Sequence, residues 1–233
     1  MSKALILGGS GGIGLEIIRK LLSTGSDVIN IDKKKCDITH GKLRNIVVDL
    51  QFVSRTELIK KLLNEEKQID CFISSIGYYN PNAQNTLEEY TKNIEINLNI
   101  PTEFSIALLE HMSGNANGGK IVLITSEAAI GGSRTLGYSA SKAGIEGVRR
   151  YLALETSKSN IHVYSIAPGI IHTSMATQAS KERQASTIMR TYEQRMGLPD
   201  EVAELVLYLA TSAPSYMKGQ CISIDGGLAS RYR

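Results

Sequence analysis

A tyrosine and a lysine four residues apart, Tyr138 and Lys142, could together move a proton. Residues at positions i and i+4 are neighbours on one face of a helix. A tyrosine whose pKa is about 10 is a poor base near neutral pH, and a nearby ammonium stabilises the phenolate and lowers that pKa. The pair is therefore typical of general acid–base chemistry at a hydroxyl group.

A glycine-rich turn lies far upstream of this pair, in the segment Gly8-Gly-Ser-Gly-Gly12-Ile-Gly14. Glycines permit positive φ angles and a close approach of the backbone to a phosphate, and a following helix offers unpaired N–H groups to a pyrophosphate. A glycine string alone is also typical of a flexible loop. Here it follows an apolar run and precedes an amphipathic helical pattern, which favours a dinucleotide site.

The predicted second strand ends at Asp32, 18 residues after Gly14. A carboxylate at this place accepts hydrogen bonds from the adenosine ribose hydroxyls and repels a 2′-phosphate, which favours NAD. Lys33 and Lys34 follow directly and could hold the phosphate of NADP, so NADP stays open as an alternative. Asp49 ends the next predicted strand, where it either contacts the adenine or forms a turn.

Short apolar runs alternate with helical patterns along the chain, which is typical of βαβ units and a parallel sheet. We predict strands at 4–7, 28–31, 46–48, 71–74, 120–124, 161–166 and 220–224. We predict helices at 13–22, 56–64, 87–111 with a kink at Pro101, from Tyr138 to about 158, and at 200–210. The pattern predicts one doubly wound, Rossmann-type α/β domain over residues 1–233, with a central parallel sheet flanked by helices.

Composition and charge exclude several classes of partner. A formal net charge of +3 is too small and too dispersed to indicate nucleic acid. Cys36, Cys71 and Cys221 lie far apart without a metal-binding spacing, which favours a reducing environment over a disulfide framework or a zinc site. The first apolar run is too short for a signal peptide, and no stretch is long enough to span a bilayer. We therefore expect a cytoplasmic protein without a metal, membrane or nucleic-acid partner.

Over essentially its whole length the chain resembles the short-chain dehydrogenase/reductase family, and within it the 3-oxoacyl-carrier-protein reductase-like branch. The matching motifs occur in the family's order. They are Gly8-x-x-x-Gly12-Ile-Gly14, Asn97-Leu98, Ile121-Val-Leu-Ile-Thr-Ser126, Tyr138-Ser-Ala-Ser-Lys142, Ala167-Pro168-Gly169 with Thr173, and Asp225-Gly226-Gly227.

The resemblance implies four catalytic residues. Tyr138 would be the acid/base, and Lys142 would lower its pKa and bind the nicotinamide ribose. Ser126 would polarise the substrate oxygen, with Thr125 as an alternative to it. Asn97 would hold a kinked helix open for a proton-relay water, although an asparagine in a helix is also typical of a surface position.

The glycine turn, the strand ends and the resemblance together predict a cofactor site. Thr173 would bind the nicotinamide carboxamide beside the Pro168-Gly169 turn. Leu7 departs from the family, which usually has a threonine there whose hydroxyl fixes the glycine turn. The predicted cofactor-binding residues are Gly8, Ser10, Gly12, Ile13, Gly14, Asp32, Asp49, Leu50, Gly77, Tyr138, Lys142, Pro168, Gly169, Ile171 and Thr173.

Residues 174–198 follow the carboxamide turn, where the family has its substrate lid. This segment carries four basic and two acidic residues, and Arg134 lies in the loop before Tyr138. The balance favours an anionic substrate, although a solvated amphipathic helix has the same pattern. His172 has no partner motif and is interpreted as structural or exposed rather than as a metal ligand. The basic residues are Lys181, Arg183, Arg190 and Arg195.

These observations predict an NAD(P)-dependent oxidoreductase that transfers a hydride between nicotinamide and a secondary alcohol or ketone, with NAD favoured. An NADPH-dependent 3-oxoacyl thioester reductase is the alternative within the family, and a non-catalytic dinucleotide-sensing regulator or scaffold is the alternative of another class. The resemblance also implies a homodimer or homotetramer. Its interface would use the small residues Ala140, Ala143, Gly144 and Gly147 of the Tyr138 helix.

Overall fold

The computed structural model describes residues 2–232. Seven parallel strands form one sheet in the order β3-β2-β1-β4-β5-β6-β7, with helices on both faces. The order reverses between β1 and β4, as in doubly wound sheets, so the predicted fold class is confirmed. The strands are β1 (Lys3–Leu7), β2 (Asp27–Asp32), β3 (Leu43–Val47), β4 (Cys71–Ser74), β5 (Gly119–Ile124), β6 (Ile161–Pro168) and β7 (Cys221–Ile224).

Eight α-helices accompany the sheet in the described residues, together with short 3-10 segments. They are α1 (Gly12–Ser23), α2 (Arg55–Glu65), α3 (Leu87–Ile94), α4 (Ile100–Ser113), α5 (Ala128–Gly131), α6 (Leu136–Glu155), α7 (Lys181–Ile188) and α8 (Pro199–Thr211). Two were not predicted. Helix α5 is a single turn that ends before Gly132, at φ +76, and is too short to show a period. Helix α7 lies inside the predicted lid.

The long predicted helix is divided by a distortion. A π-helical turn, Glu95–Asn99, joins α3 to α4 directly before Pro101, which lies in the first turn of α4. Proline lacks the N–H that a continuing helix would bond to the preceding turn, so its place agrees with the predicted ability of Pro101 to distort this helix. The two largest boundary differences are three residues each, because β3 begins at Leu43 and α6 ends at Glu155.

The strands contribute side chains to two separate hydrophobic cores, one on each face of the sheet, because successive side chains of a strand point to opposite faces. On one face α1 and α8 cover β1 residues such as Ile6. On the other face α4 and α6 cover Leu5 and Leu7, and Phe72 of β4 stacks on Phe104 of α4 with ring centroids 6.3 Å apart. The sheet is therefore buried on both sides, which leaves its edges to carry the polar chemistry.

Helix α6 approaches its neighbours closely at two glycines. A Cβ on Gly137 would lie 2.9 Å from Cα of Tyr90, and one on Gly144 would lie 2.7 Å from Cδ2 of Leu98. Gly144 is thus used for packing against Leu98 within the chain, and its use in a subunit interface stays a prediction. Between residues 2 and 232 no helix is both long enough and apolar enough to cross a membrane.

Candidate active site

A cleft of about 1160 Å³ opens at the carboxyl edge of the sheet. It is lined by residues that follow β1, β2, β4, β5 and β6, and by parts of segment 174–190. Ligands of doubly wound sheets bind at this edge, where the strand order reverses. All the predicted site residues lie in the described chain, and all of them line this cleft except Gly14 and Asn97.

The glycine turn between β1 and α1 has a shape that only glycine permits. A Cβ on Gly14 would lie 2.1 Å from the carbonyl oxygen of Gly8, so Gly14 closes the turn without facing the cleft. Gly12 has φ +51, and its Cβ would lie 3.2 Å from Cγ2 of Thr173. No side chain caps the first turn of α1 at Gly11, so these amides remain available to a phosphate.

Asn30 fixes this turn and was missed by sequence reasoning. Its Oδ1 accepts a hydrogen bond from the Gly9 N–H at 3.0 Å, and its Nδ2 donates to Oγ of Ser10 at 3.0 Å and to Oδ1 of Asn45 at 2.9 Å. Asn30 therefore stabilises the glycine turn in place of the threonine hydroxyl that is absent at Leu7. The sequence feature that could have identified Asn30 is an asparagine within the apolar strand β2. Such a side chain is buried, and buried polar groups are hydrogen-bonded.

Asp32 lines the cleft at the end of β2 and also organises the adjoining loops. Its Oδ2 accepts from the Ser10 N–H and its Oδ1 from the Lys34 N–H, each at 3.0 Å. Lys33 and Lys34 line the same part of the cleft. Asp49 accepts from the Gln51 N–H at 3.0 Å, so it forms a turn while facing the cleft.

Lys142 is only 4% exposed at the base of the cleft. Its Nζ donates to the carbonyl oxygen of Ile124 at 3.0 Å and lies 5.8 Å from the ring centroid of Tyr138. Burial lowers the pKa of Lys142 from 10.5 to about 8. A Cβ on Gly77 would lie 3.9 Å from this Nζ, so the absence of a side chain at Gly77 leaves room beside the amine.

Tyr138 has a raised pKa in this structure, and the lowering of that pKa by the neighbouring ammonium stays a prediction. Burial raises the pKa of the Tyr138 phenol to about 12, the hydrogen bond with Ser126 opposes this, and Tyr79 and Glu127 add to it. The Lys142 amine is directed at a carbonyl oxygen instead, and desolvation dominates. At neutral pH the phenol is therefore protonated and can donate a proton.

Ser126 and Thr125 have different partners, which separates the two candidates for the polarising hydroxyl. Oγ1 of Thr125 donates to the carbonyl oxygen of Lys142 at 3.0 Å and so holds helix α6. Oγ of Ser126 accepts from the Ala128 N–H at 3.2 Å and also bonds with Tyr138. The geometry favours Ser126, because its hydroxyl lies beside the phenol.

Asn97 is buried in the π-helical turn, so a surface position for it is wrong. Its Oδ1 accepts from the Tyr78 N–H at 2.6 Å, while its Nδ2 donates to the Tyr78 carbonyl oxygen at 2.9 Å and to Oγ of Ser141 at 3.2 Å. The side chain thus joins the segment after β4 to the Tyr138 helix. The proton-relay role of Asn97 stays a prediction.

The basic residues of the predicted lid divide into two groups. Arg183 and Arg190 line the cleft, and Arg134 lines it from the loop before α6. Arg195 lies outside the cleft and makes a two-point contact with Glu201, at 2.7 and 2.8 Å, so its predicted contact with substrate is wrong. The charges of segment 174–198 did not reveal this pairing, because Glu201 lies outside the segment, in helix α8.

Glu127 is a second cleft residue that sequence reasoning missed. It directly follows Ser126, burial raises the pKa of its carboxyl, and the nearby Arg190 opposes that shift. Its buried Oε2 has no hydrogen-bond partner among the described residues. His172 is exposed, and residues 2–232 contain no group of three or more His, Cys, Asp or Glu side chains arranged for a metal ion.

The cleft fits a dinucleotide cofactor. Its volume matches a large ligand, the glycine turn offers backbone amides to a pyrophosphate, and a carboxylate at the end of β2 faces the same space. Its opposite end holds a phenol, a hydroxyl and a buried amine within one group of contacts, which suits proton transfer to an oxygen.

Comparison with known proteins agrees with this geometry. A family model described as enoyl-(acyl carrier protein) reductase matches residues 9–229. The 3-oxoacyl-[acyl-carrier-protein] reductase FabG of Chlamydia muridarum (strain MoPn / Nigg) is 32% identical over 243 residues, which cover 97% of this chain and 96% of that protein. The 2-dehydro-3-deoxy-D-gluconate 5-dehydrogenase of Escherichia coli (strain K12) is 30% identical, and the alignment covers 98% and 95% of the two chains.

A solved structure agrees at the level of the whole fold. A short chain dehydrogenase family protein from Francisella tularensis subsp. tularensis SCHU S4 superposes with a TM-score of 0.85 at 26% identity, over 99% of each chain. The protein is an NAD(P)-dependent oxidoreductase that acts on CH–OH or ketone groups, rather than a non-catalytic sensor. It belongs to the short-chain dehydrogenase/reductase family.

Proposed function

We propose that Tyr138 is the general acid/base of a reversible ketone reduction. The observation that carries this is the phenol of the half-buried Tyr138 beside Ser126, where desolvation raises its pKa to about 12 and keeps it protonated. In the reductive direction the phenol gives its proton to the carbonyl oxygen while the carbonyl carbon gains a hydride, and the C=O double bond becomes a single bond. Alcohol oxidation is the reverse.

The neighbouring residues support this proton transfer. Ser126 donates a hydrogen bond to the substrate oxygen and so favours the charge that develops there. The Lys142 amine, protonated below a pKa of about 8, stabilises the phenolate left by Tyr138. Asn97 keeps the π-helical turn in place behind them and supports the proposed proton-relay water through the backbone.

A bound nicotinamide cofactor supplies or accepts the hydride. The amides of the glycine turn and of the first turn of α1 hold its pyrophosphate, Asp32 its adenosine ribose, Lys142 its nicotinamide ribose and Thr173 its carboxamide. Gly14 shapes the glycine turn, and the wider set that holds the cofactor is the rest of the predicted one, Gly8, Ser10, Gly12, Ile13, Asp32, Asp49, Leu50, Gly77, Tyr138, Lys142, Pro168, Gly169, Ile171 and Thr173.

NAD is the favoured cofactor in this proposal. Each oxygen of Asp32 accepts one backbone N–H, and a carboxylate oxygen has two lone pairs, so both can still accept a ribose hydroxyl. The same carboxylate would repel a 2′-phosphate. Lys33 and Lys34 in the cleft wall support the alternative, an NADPH-dependent 3-oxoacyl thioester reductase, and the Chlamydia muridarum relative is named as a 3-oxoacyl-[acyl-carrier-protein] reductase.

The substrate is a small alcohol or ketone that carries a negative charge, and residues 174–198 form the lid over it. Arg134, Arg183 and Arg190 line the cleft against Glu127 and Glu182, and the carboxyl of Glu127 has a raised pKa. Guanidinium groups bind carboxylates and phosphates with paired hydrogen bonds. The Escherichia coli relative, a 2-dehydro-3-deoxy-D-gluconate 5-dehydrogenase, bears the name of an enzyme of sugar acids.

The protein forms a homodimer or homotetramer in the cytoplasm in this proposal. The large apolar side chains Ile106 of α4 and Tyr151 and Leu154 of α6 are exposed on the chain, and such side chains on adjacent helices are typical of a protein interface. The three described cysteines are free thiols, which agrees with a reducing environment. A monomeric mass by light scattering would contradict the assembly.

Replacing Tyr138 by phenylalanine removes the donor and keeps the ring. We expect Tyr138→Phe to bind the cofactor normally and to lose turnover by about 10²–10⁴-fold, the usual contribution of a general acid. Turnover is followed by nicotinamide absorbance, and cofactor binding by fluorescence. Tyr151→Phe, on the exposed face of the same helix, should retain full turnover. A Tyr138→Phe enzyme within a few-fold of wild type would reject this role.

Cofactor preference is measured by fluorescence titration of the purified protein with NADH and, separately, with NADPH. We expect NADH to bind about tenfold more tightly or better, because a 2′-phosphate beside Asp32 is repelled. Asp32→Asn should weaken that preference, and its single Oδ1 keeps an acceptor for one of the two N–H groups of Ser10 and Lys34. Tighter binding of NADPH to the wild type would show that Lys33 and Lys34 override the carboxylate.

The anionic-substrate proposal is tested with two arginines that differ in position. Arg134→Gln should raise KM about tenfold for a ketone that bears a carboxylate, because a lost charge-assisted hydrogen bond costs roughly 1.5 kcal/mol. Arg195→Gln should leave KM unchanged, since that side chain is paired with Glu201 outside the cleft. Equal effects of the two substitutions, or none, would exclude a specific contact with the anion.

A further inference from the structure

Tyr79 lies between the segment proposed as the lid and the phenol proposed as the general acid. We propose that Tyr79 is a positioning residue, which together with Arg183 couples the closed position of helix α7 to the orientation of Tyr138. The inference depends on the proposed function, because it assigns Tyr79 a part in holding the residue that transfers the proton.

The first contact joins Tyr79 to Tyr138. Their ring centroids are 4.7 Å apart and the ring planes are inclined by 53°. Aromatic pairs attract at centroid distances of about 4.5–7 Å in tilted arrangements, beyond the burial of their surfaces. Tyr79 therefore covers one side of the phenol ring and restricts its rotation, while Ser126 bonds the phenol oxygen.

The second contact joins Tyr79 to helix α7. Nη2 of Arg183 donates to the hydroxyl oxygen of Tyr79 at 2.7 Å, and Nη1 donates to the carbonyl oxygen of Pro81 at 3.0 Å. The guanidinium carbon is also 5.9 Å from the Tyr79 ring centroid. Hydrogen bonds from an ionised donor are stronger than neutral ones. One arginine of α7 thus contacts two residues of segment 79–81, which leads from β4 to α3.

The anchor of Tyr79 is the residue before it. Both the N–H and the carbonyl oxygen of Tyr78 are hydrogen-bonded by Asn97 of the π-helical turn. The Tyr78 hydroxyl donates to Oε2 of Glu89, and Nζ of Lys92 lies 4.2 Å from its ring centroid. The backbone beside Tyr79 is therefore fixed to the π-helical turn through Tyr78. The contact that can break is the one between the Tyr79 hydroxyl and Arg183 of α7.

Two conclusions follow for catalysis. When α7 lies over the cleft, Arg183 holds the Tyr79 hydroxyl, and the Tyr79 ring stays in contact with the Tyr138 ring. When α7 moves away, that restraint is lost and the phenol ring gains freedom. Closure of α7 over the substrate and orientation of the Tyr138 phenol then occur together. The orientation matters because small displacements of a reacting group lower the rate by large factors.

Hydrogen exchange of the cofactor-bound full-length protein tests the coupling without any substrate. We expect Tyr79→Phe to speed exchange of the amides of α7 by about tenfold, the value of one charge-assisted hydrogen bond, and Arg183→Gln to speed it at least as much, because it also removes the bond to Pro81. The double variant should exchange no faster than Arg183→Gln alone, because the arginine substitution already removes the bond that Tyr79→Phe removes. Lys181→Gln, on the exposed side of the same helix, should leave the exchange rate unchanged.

Kinetics with a probe ketone, the acetoacetyl thioester of N-acetylcysteamine, separate the two contacts of Tyr79. Tyr79→Phe keeps the ring but frees it from Arg183, and should raise KM and lower kcat, whereas Tyr79→Leu also removes the ring contact and should lower kcat further. Wild-type exchange in Tyr79→Phe, or additive effects in the double variant, would overturn the coupling. That result is distinct from failure of the proposed function, which an active Tyr138→Phe enzyme would show.

Discussion

The burial of one lysine amine is the constraint on which the rest of the site depends. Nζ of Lys142 reaches the carbonyl oxygen of Ile124 at the end of β5, in a position shielded from water. The shift of its pKa from 10.5 to about 8 corresponds to roughly 3 kcal/mol against the charged form. Below pH 8 the folded state bears this whole cost, and the cost disappears as the pH rises toward 10.5, where the unfolded lysine also loses its proton.

Several features of the fold make this burial tolerable. Gly77 leaves space beside the amine, and Thr125 holds the carbonyl oxygen of Lys142. The parallel sheet directs the ends of its strands to one edge, so that Ser126, the glycine turn and Asp32 face the same cleft. Gly137 brings the start of α6 against α3, directly before Tyr138. The chemistry of the site is therefore a consequence of backbone placement as much as of residue type.

The strands, the helices other than α5 and α7, and the location of the cleft could be predicted, because hydrophobic periodicity and glycine spacing are local properties of a sequence. The features that were missed depend on contacts between distant segments. Asn30 supports the turn through Gly9, and Arg195 is paired with Glu201, which no charge count reveals. The i to i+4 spacing placed Lys142 beside Tyr138 but could not show that the Lys142 amine donates to the carbonyl oxygen of Ile124. Nor could it show that desolvation of the Tyr138 phenol raises the pKa of that group.

The most direct test of this account is the pKa of Lys142 itself, measured by NMR on the full-length protein with ¹³C-labelled lysine side chains and assigned by the signal lost in Lys142→Arg. The account predicts a titration midpoint near 8, because burial disfavours the ammonium. A midpoint at the ordinary value of 10.5 would show a solvated amine and would contradict the buried proton-transfer site.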